Sequence, residues 1–283
     1  MKNIKYADNR KVFNWHEEGI PFVSFDMLDS LGVPNMYTTR YKSSDGEKGL
    51  RVAVMKGEDI GKARSIVRDN LSKLVMQLGS DINHLRVTNQ QHTANVIEVD
   101  EQKLGYGASV ANTNPVDGII TDVTGACLVV YGADCPSVYI VDPIHHAIGL
   151  VHAGWKGTLG KIPEVAIRMM ADRYGSNPEE MYAAIGPSIC ENCYEMGDEI
   201  FDMFATQWSL TDANQLLHRH SSGKYHLDLW KANTMTLERA GLLAEHIAVT
   251  NICTCCNTDT FYSYRAHKME NEQAALLVNS FNE

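Results

Sequence analysis

Apolar residues recur at helical spacing over residues 59–78 and place one hydrophobic stripe on a predicted helix. Asp59 is a suitable N-cap, and Gly79 stands where helices commonly end. Shorter patterns of the same kind predict helices over 163–174 and 229–240, each followed by a glycine. The stripe of the first helix consists of Ile60, Ala63, Val67, Leu71, Leu74, Val75 and Leu78.

Short runs rich in β-branched residues and bounded by turn residues predict strands. They cover 51–55, 117–121, 127–131, 137–141 and 147–151. The five residues between the last two suit a hairpin. Because strands cluster and helices lie between the clusters, we expect an α+β fold with mixed β-sheets flanked by helices. No repeat or Pro/Gly/Ser-rich linker divides the chain, so a single domain over 1–283 is predicted.

Composition and charge narrow the class of protein. A chain with 44% hydrophobic and 21% charged residues is typical of a soluble globular enzyme. The net charge of −10 argues against a nucleic-acid partner, although a local basic pocket for phosphate is compatible with it. We find no signal peptide and no apolar run long enough to cross a membrane. Seven cysteines in such a chain favour thiols, metal ligands or a nucleophile, so we expect a cytoplasmic protein.

The segment 132–157 carries the most informative pair of reactive residues. Cys135 precedes one predicted strand, and His152 closes the next, 17 residues later. A hairpin of this size can bring both side chains together. They then serve either as zinc ligands with a fourth position open or as a nucleophile and its base. A buried free cysteine and a core histidine would show the same spacing. His92 lies between two strand-like pieces and, taken alone, is more typical of a structural histidine.

Two other segments carry cysteines or a cation in suggestive places. Cys190 and Cys193 form a C-x₂-C pair, and Cys253, Cys255 and Cys256 form a second cluster. Together they allow a four-cysteine zinc site, but C-x-C-C is not the usual pairing, so the spacing favours such a site only weakly. The aromatic run 261–264 ends in Arg265, which suits either an ion-paired strand end or a phosphate contact.

Taken together, these segments resemble the YfiH-type laccase-domain family, whose members are also described as multicopper polyphenol oxidases or purine nucleoside phosphorylases. The similarity keeps the family's order over roughly residues 36–265. The matching pieces are Gln90-x-His92, Asp117-Gly118-x-x-Thr121-Asp122, Ala133-Asp134-Cys135-Pro136, Val151-His152-Ala153-Gly154-Trp155-Lys156-Gly157, Ile185-Gly186-Pro187-Ser188-Ile189 with Tyr194-Glu195, Asp228-Leu229, Cys253-Thr254 and Tyr262-Ser263-Tyr264-Arg265.

The resemblance implies a zinc ion, with copper as the alternative metal, held by His92, Cys135 and His152. It also implies phosphorolysis of adenosine, inosine, guanosine or methylthioadenosine, and deamination of adenosine. The three ligands would be catalytic. Asp134 is the candidate acid–base residue, or else a support for its neighbour.

Substrate and phosphate contacts are expected at Arg40, Gln90, Lys156 and Arg265. The chain departs from the family pattern after Arg40, where a glycine-rich loop is replaced by Tyr41-Lys42-Ser43-Ser44-Asp45.

Three alternatives remain open from the sequence. A cysteine amidase acting on peptidoglycan precursors would use Cys135 as nucleophile and His152 as base. A copper-dependent phenol oxidase is weaker, because multicopper chemistry needs many histidine ligands and the motifs supply two. A zinc-stabilised binding module without catalysis is the third. The oligomeric state is not predicted.

Overall fold

The computed structural model describes residues 4, 12–54, 59–105, 115–268 and 271–281. The strands in chain order are β1 (Phe13–His16), β2 (Phe22–Phe25), β3 (Asn35–Thr38), β4 (Leu85–Val87), β5 (Val96–Glu98), β6 (Gly118–Thr121), β7 (Cys127–Gly132), β8 (Ser137–Asp142), β9 (Ala147–His152), β10 (Tyr182–Ile185), β11 (Glu195–Met196), β12 (Leu217–Arg219), β13 (Tyr225–Leu227), β14 (Ile247–Val249) and β15 (Gln273–Val278). The α-helices are α1 (Asp26–Ser30), α2 (Ile60–Gln77), α3 (Trp155–Leu159), α4 (Ile162–Tyr174), α5 (Asp198–Gln207), α6 (Leu210–Leu216), α7 (Leu229–Arg239) and α8 (Tyr264–His267).

Two six-stranded sheets form the centre of the molecule. The first has the order β1-β2-β3-β15-β7-β4, and the second has the order β14-β10-β8-β9-β6-β5. Both are mixed, because β4 runs parallel to β7, β10 to β14 and β5 to β6, whereas the other pairs are antiparallel. A three-stranded sheet, β11-β13-β12, is separate from them.

Alternating side chains of the central strands pack in three layers. Leu128 of β7 and Leu277 of β15 meet Leu150 of β9 between the two large sheets. On the outer face of the first sheet, Leu276 packs in one cluster with Leu74 of α2. The outer face of the second sheet packs against α4 and α7. Strands buried on both faces explain why their sequences read as continuous apolar runs.

The predicted fold class is confirmed, and so are the three predicted helices and the hairpin. The Asp59 side chain accepts a hydrogen bond of 3.0 Å from the Lys62 amide and so caps α2. In the hairpin, Ser137 of β8 lies opposite His152 of β9. The strand predicted over 51–55 is wrong for residues 51–54, which form no strand, and Met55 lies outside the described residues. Within the described ranges, no helix is both long and apolar enough to cross a membrane.

Candidate metal centre

The hairpin and the segment between β4 and β5 bring together the three predicted ligands. Cys135 lies just before β8, and His152 is the last residue of β9, so the antiparallel pairing places them side by side. His92 reaches them from the neighbouring segment. The Cys135 Sγ and one ring nitrogen of each histidine all lie within 4.8 Å of one another. His152 is buried and His92 is exposed, so the cluster opens toward solvent on the His92 side.

A single buried carboxylate, that of Asp117, organises two of these ligands. Its Oδ1 accepts hydrogen bonds from the His92 backbone amide at 3.0 Å and lies 2.9 Å from Nδ1 of His152. Its Oδ2 accepts from the amides of Gln91 at 3.1 Å and Thr93 at 2.8 Å. The bonds hold His92 in a left-handed conformation with φ of 57°. Because Nδ1 of His152 is engaged, its Nε2 is the nitrogen left for a metal.

The charges within the cluster favour a thiolate. Burial alone would raise the pKa of the Cys135 thiol, but the charge of His152 and hydrogen bonds with both histidines lower it to about 7. Burial opposes protonation of His152, yet Cys135 and Asp117 together raise the pKa of this imidazole to about 10. Burial would likewise raise the pKa of Asp117, which its hydrogen bonds lower to about 2. A deprotonated thiol is the form that binds metal.

Gly154 leaves the space that the cluster occupies. A Cβ atom at this position would lie 3.0 Å from Cys135 Sγ, 3.1 Å from His92 Cδ2 and 3.4 Å from His152 Cε1. Its φ of −62° is ordinary for any residue, so it is the space, not the backbone conformation, that requires glycine.

Two histidines and one cysteine suit zinc or copper, because imidazole and thiolate are preferred ligands of both. Three protein donors gathered on one side, with an opening toward solvent at His92, match a site that keeps one position for a reactant. Among the described residues, the other group able to hold a metal consists of four cysteines. The part of the chain that the structure describes therefore contains no histidine-rich group of the kind that several copper ions need.

Asp134 braces the backbone beside Cys135. Its Oδ1 accepts a hydrogen bond of 2.6 Å from the Thr254 hydroxyl, and its Oδ2 accepts one of 2.6 Å from the Arg265 amide. The Asp134 φ is 93°, a left-handed value that these bonds help to hold. The contacts fit a supporting role for Asp134 better than proton transfer.

Two of the side chains predicted to contact substrate form hydrogen bonds with backbone groups instead. The Gln90 side chain donates to the Tyr131 carbonyl at 2.8 Å and accepts from the Tyr131 amide at 2.6 Å. The Arg265 guanidinium donates to the carbonyls of Cys193 at 3.1 Å and Glu195 at 3.0 Å. Both side chains therefore link segments around the cluster.

The other two predicted contacts are cations with aromatic neighbours. Arg40 donates to the Thr258 carbonyl at 2.7 Å, and its guanidinium carbon lies 4.9 Å from the centre of the Tyr262 ring. Lys156 is exposed, and its Nζ lies 5.5 Å from the centre of the Trp155 ring. Lys156 follows Gly154 by two residues, which places it beside the cluster along the chain.

Sequence reasoning missed two residues near the ligands. Burial raises the pKa of Glu272, whereas the charges of His152 and His92 lower it, so this carboxyl lies within electrostatic reach of both. Tyr37 is fully buried, and its pKa is raised by burial and by the charges of Asp134 and Cys135. Neither residue lies in a motif of reactive residues, so the sequence pattern offered no signal for them.

Comparison with known proteins places the whole arrangement in a family. Residues 50–278 match the family model described as "Multi-copper polyphenol oxidoreductase laccase". The chain is 32% identical over 252 residues to "Adenosine deaminase RL5" from an unknown prokaryotic organism, covering 87% of this chain and 94% of that protein. It is 32% identical over 212 residues to "Purine nucleoside phosphorylase YlmD" of Bacillus subtilis, covering 74% of this chain and 73% of that protein.

Solved structures agree with this assignment. The crystal structure of the Bacillus licheniformis hypothetical protein YfiH superposes with a TM-score of 0.82 at 25% identity, covering 93% of this chain and 98% of that one. YlmD from Geobacillus stearothermophilus superposes with a TM-score of 0.81 at 28% identity, covering 95% and 99%. The chain therefore belongs to the laccase-domain family that includes YfiH and YlmD.

Proposed function

We propose that this chain is a zinc-dependent enzyme of purine nucleosides. It would catalyse phosphorolysis of adenosine, inosine, guanosine or methylthioadenosine, and deamination of adenosine. The observation that carries the proposal is the convergence of His92, Cys135 and His152 around one opening. The names of its relatives, a purine nucleoside phosphorylase and an adenosine deaminase, supply the substrate class.

Some of the side chains would bind and orient the metal, and others would bind the substrate. Zinc, when bound, supplies Lewis-acid polarisation of an oxygen at the open position. Asp117 fixes the ring of His152 and the backbone of His92, so the ligands are in place before substrate arrives. Cys135 contributes a thiolate whose negative charge is stabilised by the charge of His152 and by hydrogen bonds with both imidazoles.

Glu272 is the proposed group for proton transfer. Burial raises its pKa, so this carboxyl holds a proton more readily than an ordinary carboxylate does, as a general acid must. The charges of the two histidines act on its pKa in the opposite direction, so it lies within electrostatic reach of them. Asp134 is a weaker candidate, because both of its carboxylate oxygens accept hydrogen bonds from the protein.

Lys156 and Arg40 are the proposed cations for the phosphate co-substrate. Lys156 is exposed next to the segment that contains Gly154. Arg40 donates to the Thr258 carbonyl, and its guanidinium is a group whose planar donors suit phosphate oxygens. Arg265 is assigned a supporting role, because two nitrogens of its guanidinium hold backbone carbonyls. Gln90 supports the Tyr131 backbone in the same way.

The test is product identification from adenosine with and without inorganic phosphate. Phosphate-dependent release of free adenine would show phosphorolysis, and inosine would show deamination. We expect His92→Ala, Cys135→Ala and His152→Ala each to lose the metal ion of this site and both activities. Full activity of Cys135→Ala would contradict the metal-centre interpretation.

The lowered pKa of Cys135 beside His152 also suits a cysteine amidase, which needs a thiolate next to an imidazolium. The two functions differ in their need for metal. Activity on a peptidoglycan precursor that survives exhaustive chelation and is abolished by thiol alkylation would favour the amidase. Loss of nucleoside turnover on chelation, restored by added zinc, would favour the proposed function.

A further inference from the structure

A second cysteine cluster lies outside the metal centre described above. Strands β10 and β14 are parallel neighbours, so the segments that follow them leave the same edge of the second sheet. A parallel bridge between Ser188 and Cys253 continues this pairing beyond the strands. Cys190 and Cys193 lie on the first segment, and Cys253 and Cys256 lie on the second.

The sulfur atoms of these four cysteines are arranged as a metal site would require. All four Sγ atoms lie within 4.8 Å of one another, and those of Cys193 and Cys256 are 3.5 Å apart. Tetrahedral zinc with Zn–S bonds of about 2.3 Å separates its sulfurs by about 3.8 Å. The cysteines are therefore close enough to share one ion, and none of them is in a disulfide.

The spacing C-x-C-C, by which the segment 253–256 argued only weakly for a zinc site, is not the spacing of the cysteines that come together. Cys253 and Cys256 form a C-x₂-C pair that faces the C-x₂-C pair of Cys190 and Cys193, and Cys255 stands outside the group. Two C-x₂-C pairs are the common ligand spacing of structural zinc sites.

Backbone amides stabilise negative charge on this cluster. The Cys253 Sγ accepts hydrogen bonds from the amides of Cys190 at 3.3 Å and Cys256 at 3.4 Å. The Arg265 guanidinium is bonded to the Cys193 carbonyl and adds positive charge nearby. Four thiols gathered near the surface, with amides directed at one sulfur, need a cation to remain together as thiolates.

We propose that Cys190, Cys193, Cys253 and Cys256 bind a structural zinc ion that joins the segments after β10 and β14. All four coordination positions are filled by protein sulfur, so this ion has no open position for a substrate. The proposal does not depend on the enzymatic function proposed above, because it concerns a separate set of ligands.

The second zinc ion would also hold the metal centre in shape. Thr254, next to Cys253, donates to one oxygen of Asp134, and the Arg265 amide donates to the other. The Arg265 side chain in turn holds the Cys193 carbonyl. Loss of the ion would loosen both segments and, through Asp134, the position of Cys135.

Metal content per chain tests the proposal directly. We expect two metal ions in the full-length protein purified under reducing conditions, and one in Cys193→Ser/Cys256→Ser. His92→Ala should also keep one, held by the four cysteines. Cys255→Ser is the matched control, because Cys255 is a neighbour outside the cluster, and it should keep two. Unchanged metal content in the double variant would overturn the proposal.

A spectroscopic measurement keeps the test decisive if the double variant does not fold. X-ray absorption at the zinc edge of His92→Ala should show only sulfur neighbours, at about 2.3 Å. A shell containing nitrogen, or a disulfide between Cys193 and Cys256 in the freshly purified protein, would overturn the proposal. If the first site binds no metal, the wild type should hold one ion and the double variant none, which separates the two proposals.

Discussion

Two residues determine the space and the orientation available to the three candidate ligands. Gly154 has no side chain to fill the space where Cys135, His92 and His152 meet. Asp117 fixes the two histidines by hydrogen bonds to the His92 amide and to the His152 ring. Neither would bind the metal itself. Their effects are therefore separable from those of ligand substitutions, and both can be measured through metal affinity.

Gly154→Ala should weaken metal binding without unfolding the protein. The added Cβ would approach Cys135 Sγ to 3.0 Å, so at least one ligand must move. We expect an affinity loss of about 10–100-fold, the range seen when a ligand loses its supporting contact. Competition with a chromogenic chelator measures it. Gly61→Ala is the control, because its Cβ meets only Asp59 Oδ1 at 3.4 Å; unchanged affinity in both variants would contradict the argument.

Asp117→Asn should change the dependence of stability on pH. The folded-state pKa of Asp117 is about 2, below its ordinary value of 3.8. Its ionised form therefore stabilises the fold above pH 3.8, and this contribution is lost as the pH falls toward 2. In metal-free protein, the melting temperature of the wild type should exceed that of the variant at neutral pH, and the gap should narrow over that window. A gap independent of pH would contradict the assignment.

Glu272→Gln should reduce nucleoside turnover while leaving the metal in place. Removal of a general acid–base group lowers rates by about 10²–10⁴-fold. Glu101→Gln, at an exposed position, is the control and should match the wild type. Rate measurements paired with elemental analysis test this. Equal rates for Glu272→Gln and Glu101→Gln would exclude Glu272 from proton transfer.

At the scale of elements, the sequence pattern predicted the helices and the hairpin, whose formation depends on residues close together in the chain. The stripe of α2 and the hairpin of β8 and β9 were both readable from spacing. β15 was not predicted, because its run of alanine and leucine is also typical of helices and only its neighbours β3 and β7 decide.

In the candidate site, too, the residues brought together by local structure were predicted, and those brought together by tertiary structure were not predicted from spacing. The predicted hairpin indicated that Cys135 and His152 could be neighbours, whereas His92 entered through the family resemblance. The facing pairs of cysteines depend on the parallel neighbours β10 and β14, which are distant in sequence. Glu272 was missed for a similar reason, since its proximity to the histidines arises from tertiary structure.

The amphipathic character of α2 predicts a contrast between its two faces. Leu74 is fully buried against the first sheet, whereas Met76 is 68% exposed. Leu74→Ala should lower the free energy of unfolding by about 2–5 kcal/mol. Met76→Ala should change it by about 0.5 kcal/mol or less. Urea unfolding of both variants is the measurement, and similar losses at the two positions would contradict the packing described here.

At the scale of the whole molecule, the first sheet depends on residues far apart in the chain. β15 lies between β3 and β7, so residues 273–278 complete a sheet whose other strands lie between residues 13 and 132. Its side chains contribute to the layer between the sheets and to the layer under α2. The strand is therefore shared by two of the three hydrophobic layers.

A chain ending at Asn271 should fail to fold cooperatively. It would lack β15, split the sheet between β3 and β7, each of which would keep only one neighbouring strand, and open both layers to water. Leu276→Val is the control, since it keeps the strand and should lose only about 1 kcal/mol. Circular dichroism during heating tests both proteins. A sharp melting transition in the shortened chain would show that β15 is dispensable.

The central place of β15 also bears on synthesis. The ribosome adds about 5–20 residues per second, so β3 and β7 cannot pair with β15 until residues 273–278 have emerged. During that interval both strands present open edges to other nascent chains. Translation speed and chaperone supply should therefore govern the soluble yield of this protein more than they govern that of proteins whose sheets close strand by strand.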